Sequence, residues 1–148
     1  QRSKTAENKE RLLQEMQSGA IVSLFPEGTT NDGSEVQSFR SSYFSLASEE
    51  IGKESLVVQP VTINYFNHDG TILSREEMDK IAWYGDDEFF GHFWTFIKSK
   101  GVRAEVLLHS PVTQNDFADR KKLSAHCHQQ VENVFAGLAE SENYERIK

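Results

Sequence analysis

Ala20-Ile21-Val22-Ser23-Leu24-Phe25-Pro26-Glu27-Gly28-Thr29-Thr30 is the stretch on which the reading of this chain turns. Its first six residues are mostly apolar, the pattern of a short strand covered on both faces by helices. The next five change character at once. Pro26 stiffens the exit. Glu27 puts a carboxylate at the strand tip, and Gly28 lets the backbone adopt φ > 0 or approach a ligand closely. Thr29 and Thr30 add hydroxyls and amides suited to an oxyanion or a phosphate. Ligands of open α/β sheets gather at the carboxyl ends of the strands, which is where this loop would sit. A plain loop in which Glu27 caps the neighbouring turn fits the same residues, because short motifs are not specific alone.

Working outward, residues 5–18 carry a helical pattern, with Leu12, Leu13 and Met16 on one stripe and Gly19 as the stop. Asn31-Asp32-Gly33 signals a turn, and residues 41–50 suggest a second helix closed by Gly52. Residues 56–65 read as a strand interrupted by Pro60, which cannot donate to a ladder and marks an edge, a bulge or a strand end. His68-Asp69-Gly70 turns the chain again. Asp86, Asp87 and Glu88 look like the acidic first turn of a helix reaching Lys100. Phe89, Phe93, Phe96 and Ile97 give that helix an apolar face, read for Phe89 and Phe93 as a core stripe. Phe90 and Trp94 are candidates for a membrane interface. Residues 102–109 form a third strand, stopped by Pro111. Asp116 is placed to cap a last helix whose face holds Leu123, Cys127, Val131, Val134 and Leu138, with a frayed tail from Ser141.

Helices and strands therefore alternate along 148 residues. The expectation is one α/β domain over residues 1–148, with a largely parallel central sheet flanked by helices and right-handed crossovers. Ten Phe and 37% hydrophobic residues exclude a disordered chain. The net charge of −7, with no basic patch, disfavours nucleic acid as a partner. No apolar run approaches the roughly 18 residues of a membrane span. A single cysteine, Cys127, excludes an internal disulfide and a cysteine zinc cage.

Several familiar chemistries are absent. There is no G-x-S-x-G nucleophile elbow. Gly28 and Gly33 have the spacing of a phosphate loop, but no Lys follows the second glycine, so nucleotide binding there is a near miss. His126-Cys127-His128 resembles a metal cluster only on paper, since residues i and i+2 of a helix point apart. Cys127 is read as core, and no metal site is expected.

Phe25-Pro26-Glu27-Gly28-Thr29 resembles the third conserved block of the glycerolipid acyltransferases of the PlsC type, the 1-acyl-glycerol-3-phosphate acyltransferases and their relatives. The family continues through a turn to a Phe-Lys/Arg pair and a helix, here Phe39-Arg40 followed by residues 41–47. The fourth block, a hydrophobic strand carrying Pro-Val, is similar to residues 57–63 with Pro60 and Val61. Trp83-Tyr84-Gly85-Asp86, the aromatic helix, the third strand and the closing helix follow in the family's order, so the resemblance covers nearly the whole chain.

The resemblance implies acyl transfer from a thioester on coenzyme A or acyl carrier protein to the hydroxyl of a lysolipid or glycerol phosphate, in membrane lipid biosynthesis. It implies no bound cofactor. By that match Pro26, Glu27, Gly28, Thr29, Thr30 and Arg40 bind the acceptor, and Pro60 and Val61 shape the pocket wall. The family's catalytic His-x-x-x-x-Asp block has no counterpart here. The residues five after His68, His92, His109, His126 and His128 are Leu73, Ile97, Gln114, Val131 and Asn133. That block is expected upstream of Gln1, together with the means of reaching the cytoplasmic face of a membrane. The chain is then the C-terminal, acceptor-binding portion of an enzyme, inactive by itself, and Arg2 is at most a remnant of the second block. The family's common Arg after Gly-Thr is Thr30 here, which resembles a Phe-Pro-Glu-Gly-Thr-Thr subgroup and leaves the acceptor open. The alternative is a non-catalytic module on the same scaffold that binds lipid heads or phosphate.

Overall fold

A computed structural model of the chain describes residues 2–85, 88–99 and 101–140. Asp86, Asp87, Lys100 and the tail from Ser141 lie outside the described residues, as does the side chain of Leu138. The chain opens with helix α1, Arg2–Gln17. Gly19 ends it at φ +92°, and Ala20 N–H donates back to the Glu15 carbonyl at 3.1 Å. This is the glycine-dependent stop expected there.

Residues 20–25 are the first correction. They form no strand, and they run extended with Ile21 95% and Phe25 78% exposed. A strand exists only where a neighbour accepts and donates its ladder bonds, and no described residue does so here.

Helix 41–50 contracts to a single 3-10 segment, Tyr43–Ser48, which buries Phe44 and Ala47. A two-residue hairpin pair follows, β1 Glu50–Ile51 and β2 Glu54–Ser55, turning at Gly52. Pro60 divides the next strand as its missing N–H requires. β3, Val57–Val58, pairs with β6, Val112–Thr113, while β4, Val61–Phe66, pairs with β5, Arg103–Leu108. The β4–β5 ladder runs from Val61 opposite Leu108 to Phe66 opposite Arg103.

All three pairs among the described residues are antiparallel two-stranded ladders. The expected parallel central sheet is therefore not found in them. The chain between β4 and β5 carries α2, Arg75–Met78, and α3, Phe89–Lys98, yet it returns antiparallel. An intervening helix allows a parallel crossover but does not impose one. The short helix α2 was not expected from periodicity. Its signature is a capping box in which Ser74 and Glu77 satisfy each other's backbone N–H.

Helix α4, Arg120–Glu140, carries the core. Leu123 is 0% exposed, and Leu123 and Cys127 pack with Phe44 and Ala47; Phe39, Val58, Val112 and Phe117 close around them. The stripe predicted from spacing is correct in this part. Its cap is not Asp116, which instead closes a box with Thr113 on a 3-10 turn, Gln114–Asp116. Asp119 caps α4, accepting from Lys121 N–H at 2.7 Å and Lys122 N–H at 2.9 Å. Both are acidic residues before an apolar run, and only the backbone decides between them. Burial pushes the Cys127 thiol up to about 11, so it stays protonated.

The core reading of Phe89 and Phe93 is a further correction, because they are 51% and 46% exposed. Phe89 stacks on Phe93 and meets Trp83 edge-on, with ring centroids 5.6 and 5.5 Å apart. Periodicity identifies an apolar face; it does not say what the face meets.

Candidate acceptor site

The site begins at the turn after residue 25. Gly28 N–H donates to the Phe25 carbonyl at 3.1 Å, and Arg40 N–H donates to the Pro26 carbonyl at 2.8 Å. The second bond ties the Phe-Arg pair to the loop. Ser124 on α4, itself buried, donates its hydroxyl to the Phe39 carbonyl at 3.3 Å. The buried core thus reaches the loop through one backbone neighbour of Arg40.

Gly28 has φ +67°, a conformation that L side chains rarely adopt. A Cβ there would stand 3.1 Å from Arg40 Nε and 3.1 Å from Tyr43 Oη. Arg40 and Tyr43 therefore close over the one face of Gly28 where a side chain would project.

Beyond the turn, Asn31 Oδ1 accepts from Gly33 N–H and Asp32 Oδ1 from Ser34 N–H, as the turn signal predicts. The Asp32 carboxyl lies below the ordinary carboxylate range, chiefly because Ser34 hydrogen-bonds to it. Asp32 also pairs with Arg75 of α2 at 3.1 Å. Glu27 Oε2 accepts from Gln37 N–H at 2.8 Å, and Gln37 Nε2 donates to Glu35 Oε1 at 2.6 Å. One residue therefore holds two carboxylates. Glu27 thus holds the backbone ten residues further along the loop, and it lines a groove as well.

That groove has a volume of ≈ 1000 Å³. Pro26, Glu27, Thr29 and Thr30 line it on one side and Pro60 and Val61 on another, although Pro60 lies 32 residues beyond Gly28. Gly28 and Arg40 do not line it. Most of its wall is apolar and includes Ile63 and Tyr65 from β4. The alternation of β4 explains this wall. Thr62 and Phe66 point inward at 1% exposure, leaving Val61, Ile63 and Tyr65 on the opposite face.

The strand end at Pro60 is braced by His109. Its N–H donates to the Pro60 carbonyl at 3.0 Å, its carbonyl accepts from Gln59 Nε2 at 2.7 Å, and its Nε2 lies 2.7 Å from Thr62 Oγ1. Sequence reasoning passed over His109 because its only signal was a strand end before Pro111.

Burial lowers the His109 imidazole below its ordinary value of 6.5. A histidine lowered by folding contributes stability that is complete above the unfolded value and is lost as pH falls through the folded one. The thermal midpoint should therefore hold steady above about pH 6.5 and fall on acidification toward pH 5. His109→Gln should flatten that step while leaving the losses at lower pH, where the carboxylates held below their ordinary range are protonated.

His126 and His128 have aromatic neighbours. His126 lies 4.9 Å from the Phe117 ring and His128 5.1 Å from the Phe39 ring, on either side of buried Cys127. No group of three His, Cys, Asp or Glu among the described residues could hold a metal.

The acyltransferase family model matches residues 1–64. Residues 1–64 belong to the acyltransferase family. The Gly28 loop, Arg40, Tyr43, Pro60 and Val61 all fall inside that match. Similarity extends beyond it. The chain is 31% identical over 126 residues to the lyso-ornithine lipid O-acyltransferase of Brucella abortus, covering 83% of this chain and 47% of that protein. It is 31% identical over 124 residues to the enzyme of that name from Rhodobacter capsulatus, covering 82% and 43%. Against the one from Rhizobium meliloti the identity is 28% over 121 residues, covering 80% and 41%. The acyltransferase chain spans about half the length of the curated relatives it matches. No solved structure matches it. Among its described residues no helix is long and apolar enough to cross a membrane.

Proposed function

We propose that this chain is the acceptor-binding portion of a lysolipid O-acyltransferase of membrane lipid biosynthesis. The observation that carries the reading is the convergence of Pro26, Glu27, Thr29 and Thr30 with Pro60 and Val61 on one apolar groove of ≈ 1000 Å³. The named relatives act on lyso-ornithine lipid, and an acceptor of that kind is the one proposed here.

In the reaction, the acceptor hydroxyl attacks the carbonyl carbon of an acyl thioester. A C–O bond forms, the C–S bond breaks, and the thiol of coenzyme A or acyl carrier protein leaves with the proton. The base that takes the hydroxyl proton belongs to a His-x-x-x-x-Asp block, which this chain does not contain. The part of these residues is placement. The groove holds acyl chains away from water, and the Thr29, Thr30 and Glu27 side chains orient the polar end. Arg40 and Tyr43 hold the Gly28 turn, so Arg40 acts on the acceptor through that turn. Correct placement alone supplies a large share of the rate of a bimolecular transfer. A lysolipid is reached at a bilayer surface, and the enzyme is proposed to work there, on the cytoplasmic face.

Release of free thiol by the intact enzyme tests this, with acyl-coenzyme A and acyl carrier protein compared as donors and lyso-ornithine lipid as acceptor. Thiol release that depends on the acceptor is the expected result. Lysolipid binding without thiol release would instead identify a binding module. Glu27→Ala removes the carboxylate that holds Gln37 and lines the groove, and should lower kcat/KM about 30-fold, within the range for lost orientation. Unchanged turnover would remove Glu27 from the site.

A further inference from the structure

We infer that Glu27 and Glu35, joined through Gln37, select an acceptor whose polar head carries a cation, and that Glu35 is the discriminating residue. The inference rests on the acceptor reading just given and deepens it.

The charge of the groove carries it. Among the described residues lining the ≈ 1000 Å³ groove, the charged ones are Glu27 and Glu35, and no Lys, Arg or His joins them. The nearby cations lie outside it. Arg40 stands over Gly28 beside Tyr43, outside the lining, and Arg75 pairs with Asp32 at 3.1 Å. The position after Gly28-Thr29 is a neutral Thr30.

A phosphate head entering this groove would lose its water against two carboxylates with no compensating cation, which is unfavourable. An ammonium head would meet the reverse situation. Each carboxylate spends one oxygen on Gln37, Glu27 Oε2 on its N–H and Glu35 Oε1 on its Nε2. In both residues the second oxygen has no protein hydrogen bond among the described residues. Two oxygens are thus left for a donor-rich, positively charged group, on carboxylates held by one residue in the lining of an apolar groove. Charge-assisted hydrogen bonds of this kind are the strong ones, and ornithine supplies a primary ammonium to make them. The two glutamates also differ in kind. Glu27 is half-buried and holds a backbone N–H, whereas Glu35 is exposed and its carboxylate bonds only a side chain. Changing Glu35 therefore alters the charge of the groove with the least disturbance of the loop.

The test uses the intact enzyme with lyso-ornithine lipid or lysophosphatidate presented in phosphatidylcholine vesicles, and thiol release as readout. The native enzyme should prefer the ammonium-bearing acceptor. Glu35→Gln should raise KM for lyso-ornithine lipid about 10-fold while kcat and the KM for the thioester stay within about twofold, the effect of losing one charged hydrogen bond in binding. Glu35→Asp should recover most of the loss, and Glu35→Lys should shift the preference toward lysophosphatidate. An active enzyme that prefers lysophosphatidate, or a Glu35→Gln variant with an unchanged ratio of KM values, would overturn the charge selection and leave the acyltransferase reading standing. An intact enzyme that releases no thiol with either acceptor would overturn that reading and this inference with it.

Discussion

Gly28→Val in the intact enzyme should reduce kcat/KM about 100-fold, the size of effect that follows when a reacting group is misplaced by roughly 1 Å. Gly28 sits at φ +67°, where a β-branched residue is a genuine outlier and where even an ordinary side chain is strained by about 1–2 kcal/mol. The new side chain would also project at Arg40 Nε and Tyr43 Oη, both 3.1 Å from the position of its Cβ. Those two groups are the ends of long side chains and can retreat, so this contact alone is tolerable. The backbone strain is relieved only by turning the peptide, and Glu27 and Thr29 flank that peptide on the groove wall. Gly28→Ala should give a smaller loss in the same direction. Steady-state kinetics, alongside a far-ultraviolet circular dichroism spectrum like that of the native enzyme, is the check. A Gly28→Val enzyme retaining about a third of native activity would show that the turn has no part in placing the acceptor.

Leu123→Ala should destabilise the fold by about 3 kcal/mol, within the usual range of 2–5 for a buried leucine. Leu123 is wholly buried at the centre of the cluster that joins α4 to Phe44 and Ala47. Its removal leaves a cavity among side chains that are fixed from several directions. The denaturation midpoint should fall with no change of slope, which separates lost stability from a changed unfolded state. Because Phe39 packs against this cluster and precedes Arg40, the same variant should lose activity at a lower temperature than the native enzyme. Phe90→Ala is the contrast. Phe90 is large and apolar but 82% exposed, and its removal should change folding stability by less than about 0.5 kcal/mol. A Leu123→Ala variant as stable as the Phe90→Ala variant would place the core elsewhere.

How much of this was legible beforehand can be judged residue by residue. Leu123, Cys127 and Val131 were identified as core by spacing alone, because a helix of this length repeats its buried face regularly. Pro60 announced its own strand break, since a residue without N–H cannot occupy that rung. Asn31-Asp32-Gly33 announced its turn through side chains that bond their own backbone. The loop at Gly28 and the Pro-Val strand were both recognisable, and every one of their residues lies in the segment that matches the family.

The errors share one cause. Residues 20–25 have a strand's composition, Phe89 and Phe93 a core stripe's spacing, and β4 and β5 the look of strands in a parallel sheet. Each of those readings depends on a partner that the local sequence does not contain. Hydrogen-bond ladders and buried faces are properties of two segments at once, and only the assembled chain says which two meet. His109 shows the same limit in reverse. It is unremarkable in the sequence, and three hydrogen bonds to Gln59, Pro60 and Thr62 make it the brace of the groove's far wall.

The amino-acid sequence by itself determined the local chemistry of this protein: where helices stop, where the chain turns, and which short blocks resemble those of the acyltransferase family. Tertiary structure decided what those blocks face. Only folding brings Pro26, Glu27, Thr29 and Thr30 to one apolar groove with Pro60 and Val61, stands Arg40 over Gly28 outside it, and leaves Glu27 and Glu35 as the charges of the lining among the described residues. The reason is physical. Backbone conformation responds to a few neighbouring residues, whereas the charge and shape of a site depend on which distant side chains share a volume of space.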